Sequence, residues 1–79
     1  MALSADQRRA LAMLATAGGD GVAQAVLSAQ GFDATMIAGL VNRELATLTM
    51  EKVRAGGKLI AVAMVRITEA GRRASAADE

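Results

Sequence analysis

Residues 46–67, ATLTMEKVRAGGKLIAVAMVRI, contain two runs of extended character separated by a pair of glycines. Residues 47–53 alternate roughly between polar and apolar side chains. Residues 59–67 begin with seven apolar residues and are rich in β-branched types, as is typical of strands. Gly56 and Gly57 suit a two-residue hairpin turn, because both central residues of such a turn need a positive φ. The stretch therefore predicts a β-hairpin.

The position of this turn also predicts the register of the two strands. A turn at Gly56 and Gly57 places Ala55 opposite Lys58, and every later pair follows from it. One face of the hairpin is expected to join the core, because Ile67 leads directly into the next helix. The residues assigned to that core face are Leu48, Met50, Val65 and Ile67.

The other face of the hairpin carries a second apolar group, which three small helices cannot also cover. An exposed apolar patch of this size usually marks an interface, so it predicts a homodimer or a protein partner joined through the hairpin. The alternative is that helix one or the C-terminal helix folds over the patch. The candidate protein-interface residues are Val53, Ile60, Val62 and Met64.

Two helices are predicted near the amino terminus. Ser4 and Gln7 form an S-x-x-Q capping box, which starts helix one over about residues 5–17. Asp20 can cap a short second helix, and Gly31 ends it because glycine readily adopts the left-handed conformation that follows a helix.

A third helix is predicted just before the hairpin. Asp33 is a good N-cap, and Phe32 before it could pack on Ile37 as a hydrophobic staple. Apolar residues then recur at helical spacing as far as Leu45, which predicts helix three over about residues 34–45.

The order of helix, helix, helix, strand, strand and short helix is the outline of a winged helix-turn-helix. Residues 67–72, ITEAGR, resemble the end of the wing in MarR-type transcription regulators, where a strand runs into an (L/I)-T-x-x-G-R helix start. Residues 40–46, LVNRELA, resemble the end of the recognition helix in that family. The resemblance covers about residues 4–74, but the long flanking helices that build the family's dimer are missing.

This resemblance implies a mainly α fold with a β-hairpin, in a minimal stand-alone form of bacterial type. A single domain is expected over residues 1–79, with an ordered core over 4–74 and a frayed tail over 75–79. Thr68 would cap the short C-terminal helix. The wing tip, residues 54–58 (RAGGK), is basic because of Arg54 and Lys58, and it lacks the acidic partner that the family usually has there.

The function that the resemblance implies is DNA-binding transcription regulation, with helix three in the major groove and the wing on the backbone. Asn can bond adenine, Arg can bond guanine, and Lys and Arg around a wing suit phosphates. The candidate DNA-binding residues are Thr35, Asn42, Arg43, Lys52, Arg54 and Lys58. The alternative for these residues is a solvated surface, and the alternative function is a protein-interaction module that does not contact DNA. Basic residues gathered on the helix-three side would favour DNA.

The amino-acid composition excludes several classes of function. The chain has 79 residues, 53% of them hydrophobic, and Phe32 is its only aromatic, so the core is thin and a partner would add burial. It has no Cys and no His, which excludes thiolate chemistry and removes the usual general base and metal ligand. We therefore expect no enzyme, metal or cofactor. The resemblance to MarR-type regulators implies no small-molecule ligand either, because ligand pockets in that family lie partly in the helices that are missing here. Net charge is only +1, and no apolar run approaches bilayer length, so a cytoplasmic, non-membrane protein is expected.

Overall fold

The computed structural model describes residues 3–77, which form a mixed fold of four α-helices and a three-stranded antiparallel sheet with strand order β1-β3-β2. In chain order the elements are α1 (Ala5–Ala17), a 3-10 turn (Gly18–Asp20), β1 (Val22–Ala23), α2 (Gln24–Ala29), α3 (Ala34–Asn42), β2 (Ala46–Ala55), β3 (Lys58–Ile67) and α4 (Glu69–Ala77).

Helix α1 has the predicted bounds and the predicted start. The Ser4 hydroxyl oxygen accepts from the Gln7 backbone N–H at 3.1 Å, and the Gln7 side-chain oxygen accepts from the Ser4 backbone N–H at 3.0 Å. This reciprocal capping box satisfies two backbone donors that the helix itself leaves without a partner.

The start of the second helix differs from the prediction. Asp20 does not cap α2, because it lies in the 3-10 turn, and the N-cap of α2 is Ala23 without a side-chain bond. Between them the short strand β1 pairs Val22 with Val65 of β3. Gly21 makes this pairing possible: its φ is 75°, and a Cβ there would lie 2.8 Å from the Val65 carbonyl oxygen. Backbone pairing of β1 with β3 therefore takes the place of the predicted Asp20 cap.

Helix α3 starts as predicted but ends earlier than Leu45. The Asp33 carboxylate accepts from the Met36 backbone N–H at 2.8 Å, which confirms the N-cap. At the other end Glu44 adopts a positive φ of 61°. The N–H of Leu45 bonds the Leu40 carbonyl at 3.0 Å, and the N–H of Glu44 bonds Val41 at 2.9 Å. These two bonds form a Schellman motif, with Glu44 in the position that usually holds glycine.

The hairpin confirms the predicted turn and register. Gly56 and Gly57 have φ values of 57° and 80°, and Ala55 pairs with Lys58. The pairing continues without a bulge to Ala46 opposite Ile67.

A single buried cluster joins the helices to the root of the hairpin. Val65 is fully buried as predicted, and Phe32 and Ile37 are both buried in the same cluster, as the proposed staple requires. The buried apolar residues are Leu3, Ala10, Leu11, Leu14, Leu27, Phe32, Ile37, Leu40, Leu45, Ala46 and Val65.

The assignment of Leu48 and Met50 to the core is wrong. Their side chains are 44% and 66% exposed, whereas Val65 on the same face is buried and Ile67 packs at the edge of the core. The reason is that the hairpin strands are longer than the helix that packs beside them. Ten-residue strands span about 33 Å, whereas the nine residues of α3 span only about 14 Å. The hairpin therefore extends beyond the helices that could cover it, in a molecule 44 Å long and about 20 Å across.

Helix α4 begins where β3 ends. The Thr68 hydroxyl accepts from the Gly71 backbone N–H at 2.9 Å and donates to the Glu44 carbonyl at 2.7 Å. Thr68 is thus the predicted cap, and it also ties the end of α3 to the start of α4. Residues 75–77, which the sequence assigned to a frayed tail, continue this helix, and residues 78 and 79 lie outside the described part of the chain.

Candidate interaction groove

A shallow groove lies between helices α2 and α3 and the hairpin. It consists of two adjoining depressions of about 460 Å³ and about 310 Å³, and Gln24 lines both. Leu48 and Met50 are the exposed large apolar side chains of the groove. The residues that line it are Gln24, Ala25, Ser28, Ala34, Ile37, Ala38, Val41, Asn42, Leu48, Met50, Ala61, Val62 and Ala63. None of these side chains is charged.

One face of the hairpin continues this apolar surface toward the turn. The observed register puts Leu48 and Met50 on the same sheet face as Leu59, which is 60% exposed. We call this side the groove face. From root to turn its residues beyond Ala46 are Leu48, Met50, Lys52 and Arg54 on β2, with Val65, Ala63, Ala61 and Leu59 opposite them on β3.

Charges of opposite sign lie at the two ends of the groove face. Lys52 and Arg54, the basic tip, follow Met50 along β2 toward the turn. At the root, Glu44 and Glu69 line a third depression of about 600 Å³, which shares Leu48 with the groove. We call these two carboxylates the acidic root. At about 3.3 Å per strand residue, Ala46 at the start of β2 lies about 20 Å from Lys52 and about 26 Å from Arg54.

The predicted DNA-binding residues do not converge on one face. Thr35 and Asn42 are exposed on α3, and Asn42 lines the groove. Arg43 is half-buried, and its guanidinium makes a long hydrogen bond of 3.4 Å to the Gln7 side-chain oxygen, so it turns toward α1. Lys52 and Arg54 belong to the groove face, whereas Lys58 pairs with Ala55 on the opposite face. Helix α3 itself contains no charged residue.

The predicted protein-interface residues share one face of the hairpin, as predicted, but they differ in exposure. Val53 and Ile60 are exposed near the turn, with 40% and 46% of their surface accessible. Val62 and Met64 are half-buried, and Met64 pairs with Ala23 of β1. The four residues therefore do not form one uniformly exposed patch.

A polar network at the root interrupts that face further. Arg66 forms an ion pair with Glu51, donates to the Thr49 hydroxyl at 3.2 Å, and donates to the Gly19 carbonyl at 2.9 Å. The hydrogen bond from Arg66 lowers the pKa of Glu51 below its ordinary value, and the positive charge of Arg66 adds to this effect. The network fastens the 3-10 turn to the sheet and makes this face polar where the sequence suggested an apolar patch.

The strongest features of the site were missed from the sequence. Glu44 fell inside the predicted third helix, so its positive φ was not anticipated. Leu59 and the exposure of Met50 did carry a signal, because the two strands are too long for the short helices to cover. Comparing those lengths would have placed Met50 outside the core.

The described residues 3–77 contain no cluster of three or more acidic side chains that could hold a metal ion. Among the helices of that same range, none has both the length and the apolar character needed to cross a bilayer. No protein-family profile, no curated protein and no solved structure matches the chain.

Proposed function

We propose that the chain is a winged helix-turn-helix domain that works as a protein-interaction module, with the groove as its binding surface. In this assignment α2 and α3 are the helix-turn-helix pair, and the β2–β3 hairpin is the wing. The support is the element order, the antiparallel register of the hairpin, and the Thr68 cap at the end of the wing. The MarR-type resemblance in residues 40–46 and 67–72 agrees with this assignment.

The observation that carries the protein-interaction function is the chemistry of the groove. A winged helix that binds DNA would place its third helix in the major groove, yet here α3 has no charged side chain and its neighbour on the hairpin is apolar. Interfaces with DNA are polar and strongly positive. Interfaces between proteins instead have an apolar centre with a polar rim, which matches Leu48 and Met50 between the basic tip and the acidic root.

A second candidate is DNA binding through the wing, and one observation favours it. Lys52 and Arg54 stand on the groove face, on the same side as α3, where contacts to a phosphate backbone would be made. Arg43 and Lys58 do not join them, and Glu44 would repel phosphates. We therefore rank DNA binding below protein binding.

Photo-crosslinking tests the protein-interaction function. The chain has no cysteine, so Ala61→Cys places a single attachment site in the groove. Ala29→Cys is the matched control, because Ala29 is exposed on α2 but does not line the groove. Each purified variant is labelled with a benzophenone and irradiated in an extract of the source cells. We expect protein adducts from position 61 and few from position 29.

Two results would contradict this function. If position 61 forms adducts with nucleic acid alone, the DNA-binding candidate is favoured instead. If positions 61 and 29 give equal yields of adduct, the groove is not a specific binding surface. A direct titration with random duplex DNA completes the comparison. Binding that falls steeply between about 50 mM and about 200 mM salt would indicate several phosphate contacts, whereas we expect weak binding even at the lower concentration.

A further inference from the structure

We propose that the groove is occupied by a second copy of this chain, with the two hairpins packed antiparallel by their groove faces about a twofold axis. This inference rests on the proposed protein-interaction function and names its partner. In the pair, the basic tip of each copy reaches the acidic root of the other.

The order of charges along the groove face is the first argument. The groove face is acidic at the root, where Glu44 and Glu69 lie, and apolar in the middle. It is basic at the tip, where Lys52 and Arg54 lie. An antiparallel stack of two such faces places opposite charges together at both ends, whereas a parallel stack would place like charges together. Among residues 3–77, the partner of Glu69 is Arg73 at a loose 3.9 Å, and both side chains are about three-quarters exposed.

Self-complementarity is the second argument. A twofold interface requires one surface to carry both a projection and the depression that receives it. The groove face carries both: Leu59 projects near the turn, while Leu48 and Met50 line the depression. The antiparallel stack brings Leu59 of each copy to the groove of the other. All three side chains are at least 44% exposed in the single chain, so the pair removes considerable apolar surface from water.

The backbone at Glu44 is the third argument. Its φ of 61° is a left-handed conformation that costs an ordinary residue about 1 kcal/mol, and glycine would occupy the position without that cost. Strained positions of this kind cluster at functional sites. A carboxylate that meets the basic tip of a second copy accounts for a glutamate at the end of α3.

Sedimentation equilibrium of the purified full chain over a wide range of protein concentration tests the proposal. We expect twice the monomer mass at high concentration, with a dissociation constant that rises with salt because exposed charges at both ends contribute. A monomer mass at every concentration would overturn the proposal. Protein adducts from position 61 that contain only other proteins would overturn the second copy while leaving the proposed function intact.

Apolar substitutions identify the face that is buried. Met50→Glu and Leu59→Glu should each give a monomer, because a carboxylate would be buried in the centre of the interface. Ile60→Glu is the matched control, since Ile60 is similarly exposed but lies on the opposite face. It should leave the dimer intact. The reverse result, a monomer with Ile60→Glu and a dimer with Met50→Glu, would overturn the groove-face arrangement.

Charge exchange tests the antiparallel order. Arg54→Glu and Glu44→Lys should each raise the dissociation constant roughly tenfold. Each ion pair occurs twice in a twofold dimer, so one substitution removes two of them. The double variant should recover most of the affinity. Glu44→Gly separates folding from assembly: it should increase thermal stability by relieving the left-handed strain and still weaken the dimer. Failure of the double variant to recover affinity would overturn the antiparallel order.

Discussion

Gly71, in the first turns of α4, lies directly against the carbonyl oxygen of Leu45, with no space between them for a side chain. A Cβ at position 71 would overlap that oxygen and would also come within 2.8 Å of the Ile67 side chain. The close approach lets α4 pack where the hydroxyl of Thr68 links its start to the end of α3. The glycine is therefore required by packing, since its own φ is not in the left-handed region.

We expect Gly71→Ala to lower the free energy of unfolding by about 2 to 3 kcal/mol, because backbone must move to admit the methyl group. Gly39→Ala is the matched control. Gly39 lies inside α3, and a Cβ there would meet only the Gln7 side chain at an ordinary 3.8 Å. That change should stabilise the protein by about 0.5 to 1 kcal/mol through helix propensity. Urea denaturation followed by circular dichroism measures both, and equal effects would contradict the packing account.

The cap of α3 gives a second prediction. Asp33→Ala removes the acceptor of the Met36 N–H and should cost about 1 kcal/mol of unfolding free energy. Asp33→Asn keeps an oxygen in the same place and should retain most of that stability. The same denaturation measurement checks this pair. An unchanged free energy of unfolding in Asp33→Ala would mean that the hydrogen bond contributes nothing to stability.

The hairpin turn gives a third prediction, which isolates backbone conformation. Nothing lies within 4 Å of a Cβ built at Gly56, and its φ is 57°, so a side chain there meets strain but no collision. Gly56→Asn should be tolerated, because an Asn-Gly pair suits this turn. Gly56→Val should lower the free energy of unfolding by about 1 to 2 kcal/mol, because a β-branched residue is strained in the left-handed conformation. Thermal unfolding of the two variants tests this, and similar melting temperatures would argue against the predicted difference.

The ion pair between Glu51 and Arg66 predicts a pH dependence. Because the hydrogen bond from Arg66 lowers the pKa of Glu51, the stabilisation is present above the ordinary value of 4.5 and is lost as pH falls through the lower folded-state pKa. Glu51→Gln should therefore flatten the acid side of the stability profile, from the ordinary value of 4.5 downwards. Arg66→Gln should flatten it similarly. Melting temperature against pH provides the measurement, and an unchanged slope in both variants would refute the linkage.

Two substitutions on the same sheet face measure where the core ends. Val65 is fully buried, so Val65→Ala should cost about 2 kcal/mol through lost burial and the cavity left behind. Met50 is 66% exposed, and Met50→Ala should change the free energy of unfolding of the monomer by less than about 0.5 kcal/mol. Denaturation at low protein concentration keeps assembly from contributing. A large loss with Met50→Ala would show that the groove closes over this side chain.

Local chemistry predicted a large part of this fold. The bounds of α1, the caps at Ser4 and Asp33, and the turn at Gly56 and Gly57 were all predicted correctly. Each depends on residues close together in the chain, so a short window of sequence contains the information. The register of the hairpin is also local, since a two-residue turn leaves only one way to pair ten-residue strands.

Tertiary structure decided the features on which the proposed function rests. Asp20 could have capped a helix, but Val22 and Ala23 pair with β3 instead, because non-local backbone hydrogen bonds outweigh one local cap. Arg43 faces α1 and not the groove, since Gln7 lies across from it in the folded chain. Whether Leu48 and Met50 are covered depends on how far the helices reach along the hairpin. The sequence by itself determined the elements and their pairing, because those forces act between near neighbours. Only the packing of the helices decided which apolar face remains in water, because burial depends on everything that surrounds a side chain.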